Sequence, residues 1–337
     1  MSDAKEASSR FKVIRVFFLL VIIFILSFLL YILWSPGILV KDGSLDKQSN
    51  GIWLQHGWIG HDSWFQKYSK DKSKFRNSAS IKKLHSNLKD LNIKFVYPHL
   101  CPSDVKGQIA LVDDKQAELF LDTFNDFEVI PWIGGVLDEN CIINSEKWVN
   151  KFCLSIEALI SKHPRFSGVQ INIEPLPSGN QQFLILLEQI REALPSDKIL
   201  SVSAYPPPTL FHQYKSVHWE EEYFREVSKR VDQVVPMMYD TSLKFDKLYI
   251  NLMSQWTIEI IDWSEGKDVL LGIPAYEDDA DYHTPEVENV LNAIKGISQG
   301  LLQLEVIPEN YKGICIYSEW TLDEAEKNTL IENFLKK

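Results

Sequence analysis

Short apolar runs alternate with longer amphipathic stretches along most of the chain, and the alternation repeats eight times after residue 50. The short runs are typical of strands buried on both faces, as in a parallel sheet. They lie at residues 52–55, 93–97, 128–132, 168–173, 199–204, 233–238, 269–273 and 313–317. The longer stretches have the apolar spacing of helices, and Pro285 suits the first turn of one of them. They lie at residues 81–91, 115–124, 145–161, 181–194, 219–231, 248–263, 285–297 and 322–335.

This strand–helix alternation predicts an α/β fold, a single (β/α)8 TIM barrel over residues 50–337. No Pro-, Gly- or Ser-rich linker interrupts those residues, so we expect one domain there. A doubly wound open sheet is the alternative. It is disfavoured because a dinucleotide-binding turn needs several glycines after the first strand, where this chain has Gly57-Trp58-Ile59-Gly60.

A charge-free segment precedes the barrel and is long enough to span a bilayer. Residues 16–36 are predicted as an uncleaved transmembrane anchor, residues 1–15 as a cytoplasmic tail and residues 37–49 as a linker. A signal peptide has a shorter apolar region and a small-x-small cleavage site, whereas this run ends in Tyr31-Ile32-Leu33-Trp34-Ser35-Pro36. Four basic residues precede the segment and two follow it closely. The positive-inside rule therefore places the barrel outside the cytoplasm, in the periplasm or at the cell surface.

Composition narrows the classes of partner. The net charge of −11 argues against nucleic acid, because an acidic body repels phosphate backbones. The four cysteines have no C-x-x-C spacing, so neither a zinc site nor a redox motif is predicted, and both buried free thiols and one disulfide stay open. No cofactor is predicted. The 10 Trp, 12 Tyr and 18 Phe residues are compatible with stacking on sugar rings.

The carboxyl ends of the predicted strands carry mainly aromatic residues and carboxylates. The active site of a TIM barrel lies at this end, and rings with carboxylates are typical of a sugar-binding cleft. The candidate substrate-binding residues are His56, Trp58, His99, Trp132, Gln170, Tyr205, Tyr276, Glu319 and Trp320. His56 and His99 lack the H-x-H or H-E-x-x-H spacing of a metal site, so sugar contacts or structural hydrogen bonds are favoured.

The fourth strand has a polar residue at every second position. Gln170, Asn172 and Glu174 alternate with apolar residues, so their side chains point to one face, the barrel interior. Glu174 comes last, at the rim where catalytic residues lie, and is predicted as a general acid. The alternative is a hydrogen-bonded polar layer inside the barrel, because buried polar groups without partners are costly.

Three elements of the sequence resemble the family-18 chitinase-like glycoside hydrolases. The run Ser167-Gly168-Val169-Gln170-Ile171-Asn172-Ile173-Glu174 resembles the family's strand-4 signature, D-G-x-D-x-D-x-E. Met237-Met238-Tyr239-Asp240 matches the family's M-x-Y-D element, and Trp320 matches the aromatic residue that floors its sugar subsite. The resemblance covers about residues 50–337.

The resemblance implies substrate-assisted hydrolysis of a glycan that contains N-acetylhexosamine. Glu174 would protonate the glycosidic oxygen while the substrate's own acetamido carbonyl attacks the anomeric carbon. Asn172 would orient the acetamido group, with Tyr239 and Asp240 as helpers. The chain departs from the signature, since Ser167, Gln170 and Asn172 replace its three aspartates, and Asn172 supplies no charge. Family-85 endo-N-acetylglucosaminidases use a similar pair of Asn and Glu two residues apart.

The expected function is therefore that of a membrane-anchored glycosidase. A catalytically silent sugar-binding or envelope-structural barrel is the alternative, because the strand-4 aspartates are replaced. A different barrel chemistry also stays open, with Asp240 or Glu319 as a second carboxylate in an ordinary two-carboxylate mechanism.

Overall fold

The computed structural model describes residues 2–209, 215–276 and 280–336, with side chains from residue 14 onward. The chain forms two compact units, Met1–Pro36 and Gly37–Lys337. The smaller unit contains one helix, α1 (Ser2–Leu33). Its segment Ile14–Leu33 has 20 residues and is long and apolar enough to cross a membrane, a test that a signal sequence also passes.

The larger unit is built on nine parallel strands within the described residues. They are β1 (Asn50–Leu54), β2 (Ile93–Pro98), β3 (Glu128–Val129), β4 (Trp132–Val136), β5 (Gly168–Glu174), β6 (Ile199–Ala204), β7 (Gln233–Pro236), β8 (Asp268–Pro274) and β9 (Tyr311–Tyr317). Their order in the sheet is β3-β2-β1-β9-β8-β7-β6-β5-β4. The third predicted strand is thus two pieces, because Pro131 between them has no N–H to give to the ladder.

The sheet closes on itself where β3 meets β4. The two pieces follow each other directly in the chain but lie at opposite edges of the strand order. Hydrogen bonds bind this position to both neighbours: Leu100 N donates to Trp132 O (2.8 Å), and Ser167 N donates to Val129 O (2.8 Å). The nine strands therefore occupy eight positions of a closed barrel, and the predicted (β/α)8 fold is confirmed.

Helices follow the strands and cover the outside of the barrel. They are α2 (Asp62–Lys67), α3 (Ser78–Asp90), α4 (Asp114–Thr123), α5 (Glu146–Lys162), α6 (Gln181–Ala193), α7 (Glu221–Ser228), α8 (Asp246–Trp263), α9 (Val290–Gln303) and α10 (Glu324–Asn333). The predicted helix start at Pro285 is wrong. α9 begins at Val290, because the Asn289 side chain caps it by accepting from Asn292 N. The six-residue α2 was not predicted, since it is too short to show a helical period.

Apolar residues form one layer between the helices and the sheet and another inside the barrel. The inner layer is rich in aromatic rings, among them Trp53, Tyr97 and Trp132. A polar chain crosses it. Trp53 Nε1 donates to Gln170 Oε1 (2.7 Å), and Gln170 Nε2 donates to Ser201 Oγ (3.2 Å). Gln170 is fully buried, and its amide bonds to other side chains of the protein. At this position, therefore, the predicted alternative of a hydrogen-bonded polar layer inside the barrel holds.

Residues 37–49, which the sequence analysis predicts as a linker, pack on the barrel. The Leu45 side chain is only 2% exposed. Asp46 is also buried, and its carboxylate accepts from Asn50 Nδ2 (3.0 Å), Asn92 Nδ2 (2.7 Å) and Lys336 N (3.0 Å). One carboxylate thus binds the entry to β1, the turn before β2 and the end of the chain together.

Candidate active site

Two cavities open at the carboxyl ends of the strands and share four residues, Glu174, Met237, Tyr239 and Asp240. The small cavity, about 90 Å³, lies among the rings that fill the barrel mouth. The large cavity, about 550 Å³, extends toward the segments that follow β6, β7 and β8. Glu174 and Asp240 are the carboxylates common to both cavities, and the motifs of the fourth and sixth predicted strands therefore meet at one site.

Glu174 ends β5 and is held by two donors. Asn172 Nδ2 donates to Glu174 Oε1 (2.7 Å), and the Tyr205 hydroxyl donates to Glu174 Oε2 (3.4 Å). Burial raises the pKa of this carboxyl, the two hydrogen bonds partly offset that rise, and the negative charge of Asp240 adds to it. A carboxyl that keeps its proton to higher pH than an exposed glutamate has the property that a general acid needs.

Three buried polar atoms around Glu174 have no hydrogen-bonding partner among the residues that the structure describes: Asn172 Oδ1, Trp132 Nε1 and Ser203 Oγ. Trp132 and Ser203 line the small cavity beside Glu174. Buried polar groups are nearly always paired, so the two donors without a described partner on residues of the small cavity favour a polar ligand there. Asn172 lies next to Glu174 but lines neither cavity. Ser203 was not among the predicted residues, because a serine inside an apolar strand has no distinctive pattern.

The position of Asn172 depends on a glycine in the neighbouring strand. β4 pairs with β5 so that Gly134 lies opposite Asn172. Gly134 has φ +133°, and a Cβ on it would lie 1.9 Å from the Asn172 carbonyl oxygen. Only glycine allows this approach of the two backbones.

Asp240 follows β7 and is held from the segment after β8. Tyr276 donates its hydroxyl to Asp240 Oδ1, and His283 Nδ1 lies 3.2 Å from the same oxygen. The Tyr276 and His283 rings stack at 3.8 Å. Burial raises the pKa of Asp240, while Tyr276 and His283 lower it. His283 was missed by sequence reasoning because it lies outside every recognised motif.

A second buried carboxyl fixes the turn after Asp240. Glu288 is 0% exposed and accepts from Thr241 N (3.0 Å) and Thr241 Oγ1 (2.8 Å). Burial raises the pKa of Glu288 to about 8. The backbone here needs support, because Asp240 and Ser242 both have left-handed φ angles, 59° and 57°.

Aromatic rings line the barrel mouth. Tyr239 stacks on Tyr317 at 5.2 Å and meets Trp53 edge-on at 6.5 Å. Trp320 contacts Tyr317 at 5.5 Å and packs at the edge of this aromatic cluster. The predicted residues Trp132, Tyr205, Tyr239, Tyr276 and Trp320 therefore surround the same mouth as Glu174.

Trp58 and Glu319 contact each other, but they do so at the end of β1 and not at the two cavities. Trp58 is 3% exposed and donates its Nε1 to Glu319 Oε2 (3.2 Å), which also accepts from Gln55 N (3.4 Å). Burial raises the pKa of Glu319. Neither residue lines the two cavities. Asp240 is thus the carboxylate placed next to Glu174, and Glu319 anchors the end of β1.

His56 and His99 form a cluster with His61, which was not predicted. His56 Nδ1 lies 3.0 Å from His61 Nδ1, and the His56 and His99 rings are 3.7 Å apart. Burial lowers the pKa of these histidines to about 2 for His56, 4 for His61 and 3 for His99, so all three are neutral at pH 7. The His99 ring lies 4.1 Å from that of Trp132, which lines the small cavity, but neither His56 nor His99 lines either cavity. Within the described ranges, no group of three or more His, Cys, Asp or Glu is arranged to hold a metal ion, and all four cysteines are free thiols.

No protein-family profile and no curated protein matches this sequence. Solved structures match its fold. The spore cortex-lytic enzyme SleL of Bacillus cereus gives a TM-score of 0.57 at 12% identity, over 86% of this chain and 76% of its own. A chitinase from Chromobacterium violaceum ATCC 12472 gives 0.53 at 14% identity, over 84% and 98%. The GH18 chitinase ChiB of Flavobacterium johnsoniae gives 0.51 at 13% identity, over 83% and 93%. The chain therefore has the family-18 chitinase-like glycosidase fold, as its motifs imply.

Proposed function

We propose that this protein is a glycoside hydrolase that cleaves N-acetylhexosamine-containing glycans by substrate-assisted catalysis, with Glu174 as the acid and base. The observation that carries the proposal is the pairing of Asn172 with Glu174. Asn172 Nδ2 donates to Glu174 Oε1 at 2.7 Å, while Asn172 Oδ1 is buried and, among the described residues, has no partner. One side chain thus holds the acid and presents an acceptor for the N–H of an acetamido group.

The first step uses the proton of the Glu174 carboxyl, whose pKa burial raises. Glu174 gives this proton to the glycosidic oxygen, and the bond from the anomeric carbon to that oxygen breaks with its electron pair going to the oxygen. The acetamido carbonyl oxygen forms the new bond to the anomeric carbon. The products are an alcohol leaving group, an oxazolinium cation and the Glu174 carboxylate.

The second step returns the proton. A water molecule attacks the anomeric carbon and gives a proton to the Glu174 carboxylate, and the bond to the acetamido oxygen breaks with its electron pair returning to that oxygen. Both displacements occur at the same carbon, so the product keeps the anomeric configuration of the substrate. Glu174 ends protonated and ready for another cycle.

Residues around the small cavity suit the acetamido-bearing sugar. Asn172 Oδ1, beside Glu174, would accept the acetamido N–H, and Tyr239, which lines the cavity, would contact the acetamido oxygen. Trp132 Nε1 and Ser203 Oγ are open donors at the same cavity. The rings of Trp53, Trp132 and Tyr317 provide the apolar faces on which a pyranose ring packs.

We further propose that α1 is a membrane anchor that holds the barrel outside the cytoplasm. The segment Ile14–Leu33 has the length and apolarity of a bilayer span, and basic residues are concentrated on its N-terminal side. A barrel placed there faces glycans of the cell envelope or surface.

The test is turnover of a panel of N-acetylglucosamine oligosaccharides by the full chain in detergent, measured as new reducing ends, beside Glu174→Gln. We expect the substitution to lower kcat by about 10²–10⁴-fold, the scale for losing a general acid, with oligosaccharide binding retained. Glu319→Gln is the matched control, because that carboxyl is also buried but lies outside both cavities.

Equal turnover by Glu174→Gln and the unmodified chain would contradict the proposed role of Glu174. Binding without turnover in both proteins would instead support a catalytically silent sugar-binding barrel, the alternative that the replaced aspartates leave open.

A further inference from the structure

The site lacks a fixed negative charge on β5 at the position two residues before Glu174. In the resembling family an aspartate two residues before the glutamate faces the positive oxazolinium, whereas this chain has the neutral Asn172. The first step of the proposed reaction still creates that cation. A fixed anion next to that cation stabilises the charge that develops in the transition state.

Asp240 is the carboxylate, other than the acid itself, that lines both cavities. It is close enough to Glu174 for its charge to act on that carboxyl. It lies in the segment after β7, which only β6 separates from β5, the strand that bears Asn172 and Glu174. Asp240 and Glu174 therefore line the same part of the site, and the proposed reaction puts the anomeric carbon beside Glu174.

Two donors from one segment fix the Asp240 carboxylate. Tyr276 donates its hydroxyl to Asp240 Oδ1, and His283 Nδ1 lies 3.2 Å from the same atom. The parallel stacking of the Tyr276 and His283 rings, at 9°, sets the direction of both donors. The backbone of His283 is held in turn by paired hydrogen bonds with Ala280.

We propose that Asp240, held in place by Tyr276 and His283, carries the negative charge that β5 gives up at Asn172, and that His283 is its positioning residue. This inference rests on the proposed function and assigns its charge-stabilising group. His283 holds the carboxylate through Nδ1, which lies 3.2 Å from Asp240 Oδ1. Tyr276 does the same through its hydroxyl.

The groups facing Asp240 come from several elements. Glu174 on β5 and Glu288 in the segment before α9 are the other carboxyls whose charge couples to it. The phenols of Tyr205, Tyr239, Tyr276 and Tyr317 surround it as well. Because these neighbours are acidic or neutral, His283 and Tyr276 supply the stabilisation of the charged form.

The first test moves the negative charge from Asp240 back to β5, at residue 172. In the full chain, Asp240→Asn is expected to lower kcat on N-acetylglucosamine oligosaccharides by about 100-fold, the scale for losing one stabilising group in a transition state. Asn172→Asp added to Asp240→Asn is expected to recover at least about tenfold of this loss. Asn172→Asp alone is expected to change kcat by only a few-fold, because Asp240 already supplies the charge.

The second test reads the pH profile of kcat. Removing the His283 donor raises the pKa of Asp240, so the acid limb of the profile moves to higher pH in His283→Ala. His283→Asn keeps an N–H donor at a similar reach, so its acid limb stays nearer that of the unmodified chain. In Asp240→Asn, the acid limb that the Asp240 carboxyl causes in the pH profile of kcat is expected to disappear.

Three outcomes would overturn the inference: Asp240→Asn with unchanged kcat, no recovery on adding Asn172→Asp, or an unmoved acid limb in His283→Ala despite a lowered melting temperature. Turnover by the unmodified chain distinguishes a failure of this inference from a failure of the proposed function. If that chain has no turnover, both are contradicted, and if it turns over normally, the inference is tested alone.

Discussion

Residue 172 decides how this site differs from the signature it resembles. Asn172 provides one donor to Glu174 and one buried acceptor that no described residue uses. Two side chains on the same strand face are separated by about 6.6 Å along the backbone, a spacing that suits one group at the acetamido nitrogen and the other at the glycosidic oxygen.

Replacing Asn172 by Ala removes both roles, and we expect kcat to fall about 10–1000-fold, the scale for losing one transition-state contact. The comparison is kcat on N-acetylglucosamine oligosaccharides for Asn172→Ala and Asn172→Asp, since aspartate keeps the acceptor and should preserve or raise activity. Equal losses in the two variants would mean that residue 172 only fills the barrel.

At this scale, alternation and motifs predicted the residues that the structure brings together: Asn172, Glu174, Tyr239 and Asp240. Gln170 follows the same alternation but is fully buried, deeper in the barrel than Asn172 and Glu174. The alternation predicts the face of the strand on which a side chain lies, but it does not predict how deep in the barrel that side chain is. Ser203, His283 and Glu288 were missed. Their roles depend on contacts between distant segments, which single positions in a sequence do not reveal.

At the scale of elements, the site depends on a close approach of β4 to β5. A Cβ at Gly134 would meet the Asn172 backbone, whereas Gly266, with φ +77°, has nothing within 4 Å. We expect Gly266→Ala to cost about 1–2 kcal/mol for its backbone conformation alone, and Gly134→Ala to cost more because a clash is added. Urea unfolding of both variants measures this, and equal costs would exclude the close packing of these strands.

The turn after β7 depends on the segment before α9 through Glu288. Its pKa is raised from an ordinary 4.5 to about 8 by burial, so the folded state binds a proton that the unfolded state releases over this range. Stability from this group is present below about pH 4.5 and is lost as the pH rises toward 8.

Glu288→Gln keeps an acceptor for Thr241 but cannot ionise. Its melting temperature relative to the unmodified chain should therefore rise between pH 5 and pH 8, by the equivalent of a few kcal/mol at most. Scanning calorimetry at both pH values measures the difference. The same difference at the two values would show that Glu288 does not titrate in this range.

Element types followed from hydrophobic periodicity, but some boundaries did not. The third strand is interrupted at Pro131, and α9 starts at Val290 and not at Pro285. In both places a local backbone requirement, a missing N–H or an asparagine cap, overrides the apolar pattern.

For the whole molecule, charge and apolarity are divided between the two units: Met1–Pro36 has four basic and two acidic residues, so Gly37–Lys337 carries −13 of the total net charge of −11. If the segment Ile14–Leu33 is an uncleaved anchor, the intact chain should stay in the membrane fraction after carbonate extraction. A reporter fused to the C-terminus should be active only outside the cytoplasm. A mature N-terminus near Pro36 would identify a cleaved signal sequence, and a reporter active only in the cytoplasm would reverse the orientation.

The central claim is that Glu174 and Asn172 act together with the acetamido group of the substrate. It is tested most directly by comparing kcat/KM of the full chain on two oligosaccharides of equal length, one of N-acetylglucosamine and one of glucose. Substrate assistance predicts measurable cleavage of the first, abolished in Glu174→Gln, and none of the second. Equal cleavage of both would contradict it, and Asp240 would then have to serve as the nucleophile or base.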